Sequence, residues 1–192
     1  MFPFLRGLID DGHLAVPLRL IHIDAHADLG MGDAAYIFLI TDLLHRPLGE
    51  RADNFPDDDG LTSGNWLAFA IANQWVSQLL FPQRDDEADD FFPFYWDPKQ
   101  PEELRMRAAT KNQVDDVISG RSSIDDFRVN VPATEPPVSM HRPPLSELHE
   151  GPADFMFVCR SPNYSPAAAD PLFDRVCERI QPLPTQPSTK EA

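Results

Sequence analysis

Three side chains of the kind that hold metal ions, Asp24, His26 and Asp28, alternate with alanine in the run His22-Ile-Asp-Ala-His-Ala-Asp28. In an extended segment alternate side chains share one face. Two carboxylates and an imidazole converging on one point repel and bury charge unless a cation neutralises them. A mixed oxygen and nitrogen set of this kind suits Mn²⁺, Fe²⁺ or Zn²⁺ better than Ca²⁺ or Mg²⁺, which prefer all-oxygen cages. His22 lies one alternation earlier, inside the expected sheet, and reads as a core histidine. The competing arrangement is a solvated turn, with Asp28 capping backbone groups and His26 satisfied by ordinary hydrogen bonds.

Such a loop needs a strand to launch it. The aliphatic run after Pro17, ending at Asp24, has strand length and reads as an inner strand of a parallel sheet, whose carboxyl end is where α/β folds gather ligands. Residues 2 to 12 read as a helix stopped by Gly12. Asp33 would cap a short apolar helix from Ala34 to about Leu44, although a strand fits there too. A longer helix is expected from Gly64 to Leu80, because Leu67, Ile71, Trp75 and Leu79 recur every fourth position. Trp66, Phe69 and Trp75 then belong to the core. A weak helix is expected near Glu102 to Ala109, a Pro-rich connector from Val131 to Pro152, a second buried strand from Asp154 to Cys159, and a final amphipathic helix starting at Pro171. The aromatic run Phe91 to Trp96 packs at a core edge.

The 192 residues fit one α/β domain over 1–181, loop-rich in its second half, followed by a disordered tail over 182–192. A net charge of -15 without a basic stripe argues against nucleic-acid and anionic-membrane partners. The N-terminus lacks the pattern of a signal peptide, and the longest apolar run is too short to span a bilayer, so a cytoplasmic location is expected. Cys159 and Cys177 form no C-x-x-C pair and are expected to be buried free thiols.

Asp24-Ala-His26-Ala-Asp28 resembles the D-A-H-x-D motif of the ureohydrolase superfamily, the arginases and agmatinases. Ser161-Pro-Asn-Tyr-Ser-Pro166 is similar to the S-P-x-Y-[ST]-P motif of a branch of that superfamily with peptide arginases among its members. The two motifs bracket roughly residues 5 to 181, with a loosely matching middle. The resemblance implies a three-layer α/β sandwich with a mostly parallel sheet, here without the segment carrying a first strand. It also implies manganese, as one or two ions, with zinc or iron as substitutes. Asp24 would be shared between two ions, with His26 on one and Asp28 on the other, and metal-activated water would attack a guanidino carbon of a small molecule or peptide.

A full arginase-type site also needs an upstream histidine and a later pair of aspartates. His13 and the adjacent Asp89 and Asp90 are the candidates for those places, while Asn65, Arg160 and Ser161 are candidates for substrate contact. Where arginases place a glutamate against the guanidinium, this chain has Cys159 and Arg160, and a cation there would repel such a substrate. Two other readings follow: a non-catalytic, degenerate metal-binding member of the same fold, and a zinc deacetylase-like amidohydrolase. The second lacks the His-His dyad that serves as general base in such enzymes.

Overall fold

In the computed structural model, residues 1–24, 26–29, 35–55, 60–82, 91–148, 153–158 and 170–180 are described. The chain divides into two compact units, Met1–Leu148 and His149–Ala192. The first unit is mixed α/β, built on a small open sheet of four strands in the order β1-β2-β4-β3. Strands β1 (Leu18–Ile21), β2 (Val76–Leu80) and β4 (Val138–His141) run parallel, and β3 (Glu103–Leu104) pairs antiparallel with β4.

Helix α1 (Phe2–Asp10) starts with a proline in its first turn and turns Phe2, Leu5 and Leu8 inward. Gly12, at φ +73, supplies the left-handed residue that ends it. The chain then enters β1, which forms an edge of the described sheet rather than the expected inner strand. Its residues alternate between half-buried and exposed, and Ile21 and Ile23 are 44% and 65% exposed. An apolar run of that length fits an edge as well as a centre, because the run itself says nothing of how many neighbours it pairs with.

Helix α2 (Ala35–Thr41) and the 3₁₀ turn Leu43–His45 stand where a helix from Ala34 to about Leu44 is expected, the turn ending one residue later. Helix α3 (Leu48–Arg51) follows. The expected long helix over 64–80 divides instead into helix α4 (Trp66–Ala72) and strand β2. The break is at Gln74, which takes φ 57, and the Trp75 carbonyl then accepts from Leu18 N–H to start the ladder with β1. Every residue of α4 is buried, as are Val76 and Leu79. With α4 wholly buried and Trp75, Val76 and Leu79 buried after it, the apolar spacing runs on unbroken through the turn and imitates a single helix.

The expected helix near Glu102–Ala109 is extended chain. Leu104 and Met106 are each 1% exposed and alternate with Arg105 and Arg107, which is the period of a strand. Strand β4, in the expected connector, is flanked by prolines at 136, 137, 143 and 144, but no proline interrupts it. The aromatic run lies inside the core, with Phe91, Phe92, Phe94 and Tyr95 all buried.

Helices α5 (Lys111–Ile118) and α6 (Ile124–Asn130) each open with a capping box. At α5 the Thr110 hydroxyl accepts from Gln113 N–H at 3.3 Å, and the Gln113 carboxamide oxygen accepts from Thr110 N–H at 2.8 Å. Thr110→Ala is therefore expected to cost about 1 kcal/mol of stability in urea denaturation.

In the second unit, residues 153–158 form no strand, against the expectation of a buried one, and Met156 is 57% exposed. Its helix α7 (Asp170–Cys177) begins where Pro171 predicts, but none of its residues is buried. Cys177 is accordingly an exposed free thiol, not the buried one expected, and Cys159 lies outside the described residues. Among the described residues no helix is long and apolar enough to cross a membrane.

Candidate metal site

The register of the sheet sets the site. Ile21 pairs with Leu80 and Leu80 with His141, so the next residues of the parallel strands, His22, Phe81 and Arg142, form a row at the carboxyl edge. His22 N–H still donates to Leu80 O at 2.9 Å, and Phe81 N–H to His141 O at 2.9 Å. The His22 ring stacks on Phe81 at 5.6 Å and meets Trp66 edge-on at 5.7 Å. Phe81 packs edge-on against Phe91, and the Arg142 guanidinium lies over Phe91 at 4.8 Å from the ring centre.

Beyond β1 the chain folds back on itself. Asp28 adopts φ 53, a left-handed conformation that aspartate tolerates better than most residues. Its Oδ2 accepts from the Trp66 indole N–H at 2.6 Å and lies 3.4 Å from His22 Nε2. Buried Ala27 and Leu29 flank it, and the Tyr95 hydroxyl donates to the Leu29 carbonyl. His26 N–H donates to Asp24 Oδ1 at 3.2 Å, which draws the first carboxylate toward the same loop.

His22, Asp24 and Asp28 each present a ligand-type atom, and these atoms lie within 4.8 Å of one another. This is the one such grouping found among the described residues. It includes the histidine that sequence reasoning set aside. The core reading of His22 and its place beside the carboxylates are compatible, since the ring packs between Phe81 and Trp66 while Nε2 faces the loop. The alternation that put Asp24, His26 and Asp28 on one face applies equally to His22 and Asp24. It fails past Asp24 because the chain turns.

His26 is exposed, and its backbone does the visible work: its N–H holds Asp24 and its carbonyl lies 3.0 Å from His22 Nε2. A carbonyl can only accept, so in this arrangement Nε2 carries hydrogen and donates to it. An ion taken up at Nε2 must replace that bond. Two of the three donors are well shielded, with the His22 and Asp28 side chains 10% and 11% exposed, while Asp24 is exposed.

His13 sits in the exposed turn after α1, outside the trio. Asn65 is 1% exposed, and its carboxamide accepts from Thr62 N–H and donates to Gly60 O, each at 2.8 Å. Those bonds brace the turn that leads into α4, and so place Trp66 against Asp28. Asp89, Asp90, Arg160 and Ser161 lie outside the described residues. The part taken by Trp66 was not anticipated, and an indole N–H 38 positions from Asp28 leaves no local signal in the sequence.

No protein-family model, curated protein or solved structure matches the chain.

Proposed function

We propose that the loop from His22 to Asp28 binds a divalent transition metal and that the chain is a metal-dependent hydrolase of carbon–nitrogen bonds, arginase-like in its three-layer fold, acting on a guanidino group of a small molecule or peptide. The observation that carries the metal is the approach of His22, Asp24 and Asp28 at the carboxyl end of β1. Donors about 2.1 Å from a tetrahedral ion are roughly 3.4 Å apart, so a spread of up to 4.8 Å asks for a closure of up to roughly 1.4 Å on binding. The donor set fits Mn²⁺, Zn²⁺ or Fe²⁺. When bound, the ion would polarise the scissile group and activate water at neutral pH.

The chain's own residues then have separable tasks. Asp28, fixed by the Trp66 indole, gives a carboxylate with a single orientation. Asp24 is the exposed member and faces incoming ligands. The His22 ring, clamped between Phe81 and Trp66, limits how far the loop can open. The guanidino specificity comes from the resemblance of the Asp24-Ala-His26-Ala-Asp28 motif and of the Ser161 to Pro166 segment.

A second reading, a non-catalytic metal-binding member of the fold, is favoured by Arg142. Its guanidinium stands over Phe91 in the same strand-end row as His22, and a fixed cation disfavours a guanidinium substrate nearby. Elemental analysis of the purified full chain, after dialysis against Mn²⁺ or Zn²⁺, is expected to find about one to two ions per chain. Manganese-loaded protein is further expected to release urea from arginine or from arginine-containing peptides. Absence of stoichiometric metal would end both readings, and metal without urea would select the second.

A further inference from the structure

The extended segment that replaces the expected helix near residue 105 has a consequence on its outer face. With Leu104 and Met106 turned into the core, Arg105 and Arg107 emerge side by side. They line a cleft of about 190 Å³ together with Arg128 from α6 and with Trp96 and Asp97 from the aromatic turn. Three arginines thus line one cleft in a chain whose net charge is -15. A generally basic surface is not the reason for them.

Two of the three are committed to the fold. Arg128 donates to the Pro93 carbonyl at 3.1 and 2.9 Å and to the Trp96 carbonyl at 2.8 Å, and pairs with Asp125 at 3.0 Å and Asp97 at 3.5 Å. Arg105 pairs with Glu103, its Nε donating at 2.7 Å. Arg107 is different. Its Nη1 donates to the Val131 carbonyl at 2.8 Å, and among the described residues it has no carboxylate partner. Burial, and after it the charges of Arg105 and Arg128, depress its pKa, with Asp97 opposing. Glu103 pairs with Arg105, and Asp97 and Asp125 with Arg128, so Arg107 is the cation of the lining left without a carboxylate partner among the described residues.

We propose that this cleft is a binding site for a small organic monocarboxylate, received by the remaining N–H groups of Arg107 with Arg105 and Arg128 beside it and with its apolar body against Trp96. A planar fork of donors matches a carboxylate in two-point contact, and a single missing negative charge matches a monoanion. The volume restricts the ligand to a small molecule, below the usual range for drug-sized pockets. The site is independent of the metal loop and of the hydrolase reading.

The test is a titration of the ¹⁵N-labelled full chain with sodium benzoate, benzamide as its neutral counterpart, and inorganic phosphate, read at the indole N–H resonances of Trp66, Trp75 and Trp96. Benzoate is expected to move the Trp96 resonance saturably and leave the other two in place, while benzamide leaves all three. Arg107→Gln is expected to weaken benzoate binding about 10-fold or more, the loss of a charge-assisted contact. Val129 lines the same cleft and is 83% exposed, so Val129→Glu adds a carboxylate at the rim without entering the core, and it too should weaken binding. Equal response to benzamide, binding of phosphate but not benzoate, absence of a saturable Trp96 shift, or benzoate binding unchanged in both variants would each overturn the assignment.

Discussion

Arg51→Met is expected to lower the free energy of unfolding by about 3–5 kcal/mol, a large share of what a domain of this size possesses. Arg51 is buried with Glu135, their side chains 7% and 5% exposed, and the two meet at 2.9 Å. Three further guanidinium N–H groups donate to the carbonyls of Arg46 at 3.1 Å, Ala72 at 2.7 Å and Leu44 at 3.2 Å. The other Glu135 oxygen accepts from Gln74 at 2.7 Å. The pair thus joins α3, the end of α4, the left-handed turn into β2 and the segment preceding β4. Methionine fills much of the same space but leaves a buried carboxylate with one partner in place of two, and takes the Arg51 donor from three carbonyls, two of those bonds buried and the one to Arg46 part-buried. The cost comes from the stranded groups rather than from the lost attraction, because a buried pair gains little over an apolar replacement of both members. Arg51→Met with Glu135→Met should therefore be less damaging than Arg51→Met alone. Urea denaturation of the two variants decides it: a single-variant loss below about 1 kcal/mol, or a double variant worse than the single, would remove the pair from its structural role.

Neither member of that pair stands out in the sequence. Arg51 lies in a short polar stretch and Glu135 in a Pro-rich one, and 84 positions separate them. What is legible is local. The Gly12 stop, the short apolar helix after Asp33 and the strand feeding the Asp24 loop all depend on residues within a few positions of each other, and the structure contains α1, α2 and β1 in those places. Spacing alone failed where a buried helix runs on into a strand with buried positions of its own. From Leu67 to Leu79 every fourth residue is apolar because α4 is wholly buried and Trp75 and Leu79 continue the buried positions into β2, and the reversal between them is made by Gln74, a residue with no reputation as a breaker. Prolines misled in the opposite direction at β4, where they border the strand without entering it.

The candidate site shows the same division. Asp24 and Asp28 are placed together by a loop whose composition is legible, but the choice of histidine is decided by the direction of the chain beyond Asp24, and the anchoring of Asp28 by an indole from another element. Trp66 reads correctly as core, since the residue is 7% exposed. Its N–H is the part that faces the loop, and amphipathic side chains of this kind serve packing and polar contact at once.

Asp28→Asn is expected to reduce the affinity for Mn²⁺ by about 100-fold while leaving the fold intact, and the pattern among its neighbours should identify the ligands. Asparagine tolerates the left-handed φ of 53 at this position and keeps an oxygen that can accept from the Trp66 indole, so the variant removes the negative charge and one carboxylate oxygen rather than a conformation. His22 and His26 then separate the two geometries open to the loop. If the ion sits among His22, Asp24 and Asp28, His22→Ala should weaken binding about as much as Asp28→Asn, and His26→Ala should leave it nearly unchanged, since the exposed His26 contributes its backbone carbonyl and N–H, which alanine retains. If instead the loop opens to the alternation of Asp24, His26 and Asp28, the order of the two histidine variants inverts, because His22 would then keep its Nε2 hydrogen on the His26 carbonyl as a brace. Trp66→Phe supplies an independent control. It deletes the 2.6 Å bond to Asp28 but keeps an aromatic ring against His22, so metal affinity should fall about 10-fold through the loss of carboxylate orientation. Isothermal titration with Mn²⁺ and Zn²⁺ measures all four variants, and equal affinity in Asp28→Asn and the unaltered chain would exclude this loop as the metal site.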